Sequence, residues 1–339
     1  MNSDSPDPFT AVELPDAPMP AVNILLGSDG LRAGWGILLF LFLCIALSLG
    51  INLLQSLLFP HSLNAAFITP RGLFIVEGRM LAVVAVATLA MAKIERRPIA
   101  AYGFATHRCM RNFAAGLAWG LALLSLLVFT LRATGFLIFD ARLLHTVAAL
   151  RYAAIWLIGF LLVGLLEETL FRGYLQFTLA RGISGVSRLL HATHADAIGF
   201  WTAALLLSFG FGFSHHTNPG ESPIGLIAAA LIAVVFCLSL WRTGSLWWAI
   251  GFHAAWDWAE SFLFGVSNSG TIVVGRLFAT HPAGRAILSG GLTGPEGSLY
   301  ILPIAVLTAA VIILTLPDNT RDNPATLAPR QPLSGLDFP

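Results

Sequence analysis

The stretch Leu161-Leu-Val-Gly-Leu-Leu-Glu167-Glu168-Thr-Leu-Phe-Arg172-Gly-Tyr-Leu175 decides how the chain is read. It places two adjacent carboxylates and an arginine in a run that is otherwise apolar from Tyr152 to about Ala180. Each ionised residue at the centre of a membrane helix costs roughly 2.5–3.5 kcal/mol, so the three would cost roughly 7–10 kcal/mol facing lipid unpaired. They must face a protein interior or a wet cavity, and pair there. On a helix Glu168 and Arg172 are four apart and share a face. Glu167 points about 100° away from Glu168. One carboxylate can be held by the arginine while the other is left for chemistry.

Working outward, 56% of the 339 residues are hydrophobic and only 11% are charged, against about 25% charged in a soluble domain. That balance makes the chain a polytopic membrane protein, an all-α transmembrane bundle with the lipid bilayer as a partner. The net charge of +1 gives no reason to expect nucleic acid. Cys44, Cys109 and Cys237 lie far apart and form neither a disulfide framework nor a metal motif. The first thirty residues lack the basic start of a signal peptide.

Hydropathy predicts about eight spans, near 34–58, 73–92, 113–135, 152–180, 197–214, 224–241, 246–264 and 299–316. The link at 93–112 carries Lys93, Arg96, Arg97, Arg108 and Arg111 against Glu95, and the links at 181–196 and 241–245 are also basic. The positive-inside rule puts all three in the cytoplasm, and both termini with them. Trp241, Trp247 and Trp248 suit an aromatic belt at one boundary. The Gly-rich stretch 265–298 reads as a loop, with room for a short interfacial helix. Residues 31–317 form one membrane domain between a disordered polar tail at 1–30 and a polar tail at 318–339. The composition looks bacterial, which suggests the inner (plasma) membrane.

Two further segments break the apolar rule. Phe209-Gly-Phe211-Gly-Phe-Ser-His215-His216-Thr-Asn218-Pro-Gly ends the fifth span, and Gly251-Phe-His253-Ala-Ala-Trp-Asp257-Trp-Ala-Glu260 lies in the seventh. His253, Asp257 and Glu260 fall on one helical stripe, expected to face Glu167. A single intramembrane His is as easily a packing residue, and a Glu–Arg pair as easily a structural bolt. Carboxylates, histidines and an arginine on three spans together point to a functional polar site. Other polar residues read as structural: Glu77 with Arg79 in the second span, and His191, His194 and Asp196 in a solvated link. His216 points elsewhere on the helix than His215 and ranks below it.

Water-mediated peptide hydrolysis needs a base for the water and donors for the oxyanion. A glutamate in a low-dielectric cavity suits the base, and a histidine opposite can hold the same water. Alternatively Glu167, His215 and His253 bind Zn²⁺ with water in the open position. The His-Glu-x-x-His spacing of soluble zinc proteases is absent. Both chemistries fit the residues.

Glu167-Glu168-x-x-x-Arg172, Phe211-x-x-x-His215 and His253-x-x-x-Asp257 resemble, in order and placement, the three signature motifs of the CPBP family. These intramembrane proteases include the type II CAAX prenyl endopeptidases and bacterial relatives tied to bacteriocin processing or immunity. Phe-Arg-Gly-Tyr-Leu at 171–175, Asn218-Pro-Gly and Arg242-Thr-Gly-Ser-Leu-Trp agree as flanking text, and the resemblance covers about 150–263. It implies a CAAX-prenyl-endopeptidase-like fold of eight helices and an endopeptidase acting on a membrane-associated peptide or protein tail. It assigns Glu167 as the water-activating base, supported by Glu168 and Arg172. His215 helps hold the water, and His253 with Asp257 forms the oxyanion site. The family often has Asn where this chain has Asp257, and an ionised Asp accepts hydrogen bonds without donating them. Both zinc and glutamate-only chemistry have been described in the family, and the reading favours the second.

Two readings from other classes compete. One is a non-catalytic membrane partner, an immunity or scaffold protein whose polar cluster only fastens helices. The other is a proton-coupled transporter using Glu167, His253 and Asp257 as a relay. A transporter should show inverted repeats, and the sequence shows no internal repeat.

Overall fold

The structure, a computed structural model, describes residues 24–27, 30–58 and 69–318. The polar tails expected at 1–30 and 318–339 lie almost wholly outside the described residues. Eight helices carry the architecture: α1 Ala33–Leu58, α2 Pro70–Ile94, α3 Cys109–Ala133, α4 Thr146–Leu189, α5 Ala195–Ser214, α6 Pro223–Thr243, α7 Trp247–Trp258 and α8 Ile301–Thr315. The wider-wound segment Ala259–Leu263 continues α7. The first six are long and apolar enough to cross a membrane, while α7 and α8, expected as the seventh and eighth spans, are shorter. Two small antiparallel strand pairs are the only sheet among the described residues, so the expected all-α bundle stands.

Local chemistry sets several helix ends. Thr69 accepts a hydrogen bond from the Gly72 amide ahead of Pro70, and Ser222 does the same for Gly225 ahead of Pro223. Both place a side-chain cap before a proline in the first turn, where its missing N–H costs nothing. Gly244, at φ 65°, ends α6 in the left-handed conformation that glycine takes without strain.

The fourth span departs from its expected limits. Instead of stopping near 180 before a link, α4 runs unbroken from Thr146 to Leu189, 44 residues. At 1.5 Å per residue that is about 66 Å, against about 30 Å of hydrocarbon. Hydropathy marks the apolar part of a helix and not its ends. Arg181 lies in this extension, with its guanidinium 3.6 Å from Glu95.

α7 lies between α3 and α4. Its close approach to α3 depends on Gly116 and Gly120 of α3 and Gly251 of α7. A Cβ on these would lie 2.1, 2.4 and 2.3 Å from backbone oxygens of the facing helix. Small residues are what let membrane helices meet backbone to backbone. Gly164 does the same for α4, with its Cβ position 3.2 Å from the Ile250 carbonyl. Trp248, Phe252 and Trp256 stack along α7, centroids 5.1 and 5.7 Å apart. Trp248 is fully buried and belongs to the core, not to the expected aromatic belt, because α7 is enclosed by its neighbours.

The stretch 265–298 is more ordered than a loop. Phe278–Pro282 pairs antiparallel with Leu137–Arg142, the segment joining α3 to α4, and Ala286–Ser289 forms a single helical turn. Trp156 of α4 donates from its indole to the Val274 carbonyl, 3.1 Å. Val273 is buried with Leu73, Trp156, Phe160 and Phe262. These contacts fasten the segment across α4 and α7 and bring Asn268, Ser269 and Glu296 into the interior.

Candidate active site

The paired glutamates sit where α4 changes its winding. From Glu168 to Leu175 the helix widens to i→i+5 hydrogen bonding, a geometry found most often at functional sites. Glu168 is completely buried and Arg172 nearly so. The Arg172 guanidinium donates to Glu168 Oε1 at 3.1 Å. Its cationic head also lies 4.4 Å from the Phe211 ring centroid and 5.8 Å from that of Phe236. Phe211 in turn meets Phe171 edge to face at 5.2 Å. The motif aromatics therefore clothe a buried charge.

His253 of α7 joins this cluster from the facing helix. Its Nδ1–H donates to the same Glu168 oxygen, 3.1 Å away. Its Nε2 lies 3.6 Å from Glu167 Oε2 and 3.5 Å from Asp257 Oδ2. Carboxylate oxygens face both sides of the ring, which suits an imidazole carrying a proton on each nitrogen. The Gly164 contact holds α7 close enough to α4 for these distances.

Glu167 and Glu168 face different surroundings. Glu167 lines a cavity of about 460 Å³, and Glu168 lies behind its wall. His215, His253 and Asp257 line the same cavity. His215 stands in the last turn after α5, where its Nδ1–H donates to the Phe211 carbonyl at 2.8 Å. That leaves Nε2 as an acceptor. Asn218 and Pro219, from the turn that follows, also reach the cavity. Four of the six residues singled out in the sequence thus line the cavity, Glu168 lies directly behind it, and Arg172, the sixth, is joined to them through Glu168.

Some expectations for single residues change. Glu260 does not join His253 and Asp257 on the cavity wall but is buried away from it. The wider turn beginning at Ala259 takes it off the 3.6-residue stripe. Glu77, read as structural, lines the cavity from α2, while Arg79 turns outward to the Asn52 side-chain oxygen, 2.7 Å. Glu296, Asn268, Ser261 and Ser269 also line it, and no sequence pattern marked them. Glu296 accepts from the Trp256 indole at 2.7 Å and from the Ser269 hydroxyl at 3.2 Å. Burial pushes its carboxyl above the ordinary glutamate range. His191 and His194 are exposed, as a solvated link requires, and Asp196 pairs with Arg188 there.

Glu167, His215 and His253 share the cavity without forming a ligand set. Among the described residues no three His, Cys, Asp or Glu side chains are placed to hold a metal ion. Glu168 holds Nδ1 of His253 and a backbone carbonyl holds Nδ1 of His215, which leaves each Nε2 open, so what is missing is convergence of the groups on one point. The zinc arrangement therefore does not fit the side chains as they stand.

Comparison with known families adds an independent finding. Residues 148–259 match the family model described as Type II CAAX prenyl endopeptidase Rce1-like. No curated protein and no solved structure matches the chain. The matched region runs from the start of α4 into the wide turn after α7. It contains Glu167, Glu168, Arg172, His215, His253 and Asp257, while Glu77, Asn268 and Glu296 fall outside it. Over residues 148–259 the chain is similar to the type II CAAX prenyl endopeptidase Rce1-like family, the family its motifs resemble.

Proposed function

We propose that this protein is an intramembrane endopeptidase that cleaves a membrane-associated peptide or protein tail with water activated by Glu167. The observation carrying the reading is the division between the adjacent glutamates. Glu168 is buried and engaged by Arg172 and His253, whereas Glu167 faces a cavity shared with two histidines. A structural bolt has no need of a carboxylate turned into open space.

In this reading water binds between Glu167 and His215. Glu167 takes one proton, and Nε2 of His215 accepts a hydrogen bond from the other. The water oxygen attacks the peptide carbonyl carbon, and the C=O electron pair becomes the oxyanion. The Nε2–H of His253 faces that oxyanion, with Asp257 at 3.5 Å orienting the ring. The tetrahedral intermediate then expels the amine, which takes the proton from Glu167 as the C–N bond breaks. Glu168 and Arg172 hold His253 in register and touch no substrate. The basic link between α2 and α3 supports a cytoplasmic location for that end of the molecule and for both termini. A CAAX-type tail and a bacterial peptide are both substrates of the required kind.

The test is cleavage of a pooled peptide library, prenylated tails included, by detergent-purified protein with and without a chelator. Wild type should cleave, and Glu167→Gln should lose about 10²–10⁴ in rate, the span of a general base. His215→Ala should lose turnover as well, with the melting temperatures of both variants close to wild type. Chelator should leave the rate unchanged. If wild type cleaves nothing and both variants only melt earlier, the cluster fastens helices and the protease reading fails.

A further inference from the structure

The cavity is more acidic than hydrolysis requires. Glu77, Glu167, Asp257 and Glu296 all line it, and no Lys or Arg does among the described residues. Three of these carboxylates have partners. Glu167 and Asp257 flank Nε2 of His253 at 3.6 and 3.5 Å, and Glu296 receives two hydrogen bonds. Glu77 has none. It is 9% exposed, and no hydrogen bond or ion pair engages it among the described residues. Its carboxyl lines the cavity beside three other carboxylates and meets no cation there, and like charges held close together are costly. The arrangement becomes favourable when the occupant of the cavity brings a positive charge. A metal ion is a poor candidate, because no three potential ligands converge.

We propose that Glu77 is a specificity residue that receives the side chain of a Lys or Arg beside the scissile bond of the substrate. The proposal rests on the hydrolase reading of the cavity. Glu77 comes from α2, outside the region matched by the family model. The same four carboxylates repel an acidic side chain from the site, and selectivity of this kind needs the repulsive element as much as the attractive one.

The experiment is selection from a random peptide library on full-length Glu167→Gln protein in detergent, which binds without cutting. Bound peptides are sequenced, and the pool is offered in parallel to wild type for cleavage. Lys and Arg should be enriched at one position at least about tenfold over their neutral isosteres, a modest coupling for a close charge pair. Asp and Glu should be depleted there. Adding Glu77→Gln should bring the enrichment to near unity, while Glu77→Asp, which keeps the charge, should retain most of it. Melting curves of each variant establish that it is folded before selection. No basic enrichment, or an enrichment that survives Glu77→Gln, overturns the proposal. Glu77-dependent enrichment without any cleavage by wild type would instead sink the hydrolase reading and leave cation recognition standing.

Discussion

Two buried clusters in this molecule are built from the same side chains, and they do different things. At the end of α2, Glu95 accepts from the Tyr174 hydroxyl at 2.9 Å and the Tyr102 hydroxyl at 3.3 Å. Arg97 and Arg181 each lie 3.6 Å from it. Burial, and then the Glu95 charge, pushes the Tyr102 hydroxyl well above its ordinary value, so it stays a donor. Phe40 of α1 stacks on Tyr174 at 4.4 Å. This knot ties α1, α2 and α4 together and has no place in the cavity lining. The second cluster also joins glutamates, an arginine and aromatic rings, but Glu167 is turned into a cavity with His215 and His253. Residue chemistry alone does not separate a fastening from a site. What separates them is whether one member is left facing a space that can be filled.

The comparison can be broken by substitution. Arg172→Leu leaves the fully buried Glu168 with His253 as its one remaining partner and should cost about 3–5 kcal/mol, as when one partner of a buried pair is removed. The loss would be read as a lowered melting temperature, with turnover lost alongside it. Tyr174→Phe removes one hydrogen bond to a charged acceptor in the Glu95 knot and should cost about 1.5–3 kcal/mol. Turnover per folded molecule should not change, because the knot does not touch the cavity. Asp257→Asn tests a departure from the family pattern. An amide can donate to the oxyanion as well as orient His253, so the rate should stay within about tenfold of wild type, about 1.4 kcal/mol. Asp257→Leu should lose about 10²–10³, the cost of one oxyanion-site group. Asp196→Ala, at the exposed Arg188 pair, should shift stability by less than about 1 kcal/mol. A larger shift there would mean that the α4–α5 turn carries more of the fold than its exposure suggests.

The sequence made part of this legible. Charged residues in apolar runs are costly enough that Glu167, Glu168, Arg172, His253 and Asp257 declared themselves without any structure. Six of the eight expected spans were legible for the same reason. Glu77 was not, because which way a residue on α2 points depends on where α4 and α7 pack, and nothing local reports that. Glu296 and Asn268 sit in a Gly-rich segment with no period to read. Their place at the cavity follows from long-range contacts such as Trp156 to the Val274 carbonyl. Widened helical turns also leave no compositional trace, which is why Glu260 was assigned to the wrong face. The glycines of α3 and α7 were visible as letters, but only the crossing shows that they set its depth.

The most direct test sets the two clusters against each other. Wild type, Glu167→Gln and Glu95→Gln would be purified in the same detergent, and each assayed for peptide cleavage and thermal unfolding. The account predicts a crossover: Glu167→Gln keeps its melting temperature and loses turnover, while Glu95→Gln melts earlier and keeps turnover per folded molecule. If Glu167→Gln melts early with its rate intact, or if the two variants behave alike, Glu167 is a fastening like Glu95 and the catalytic account is wrong.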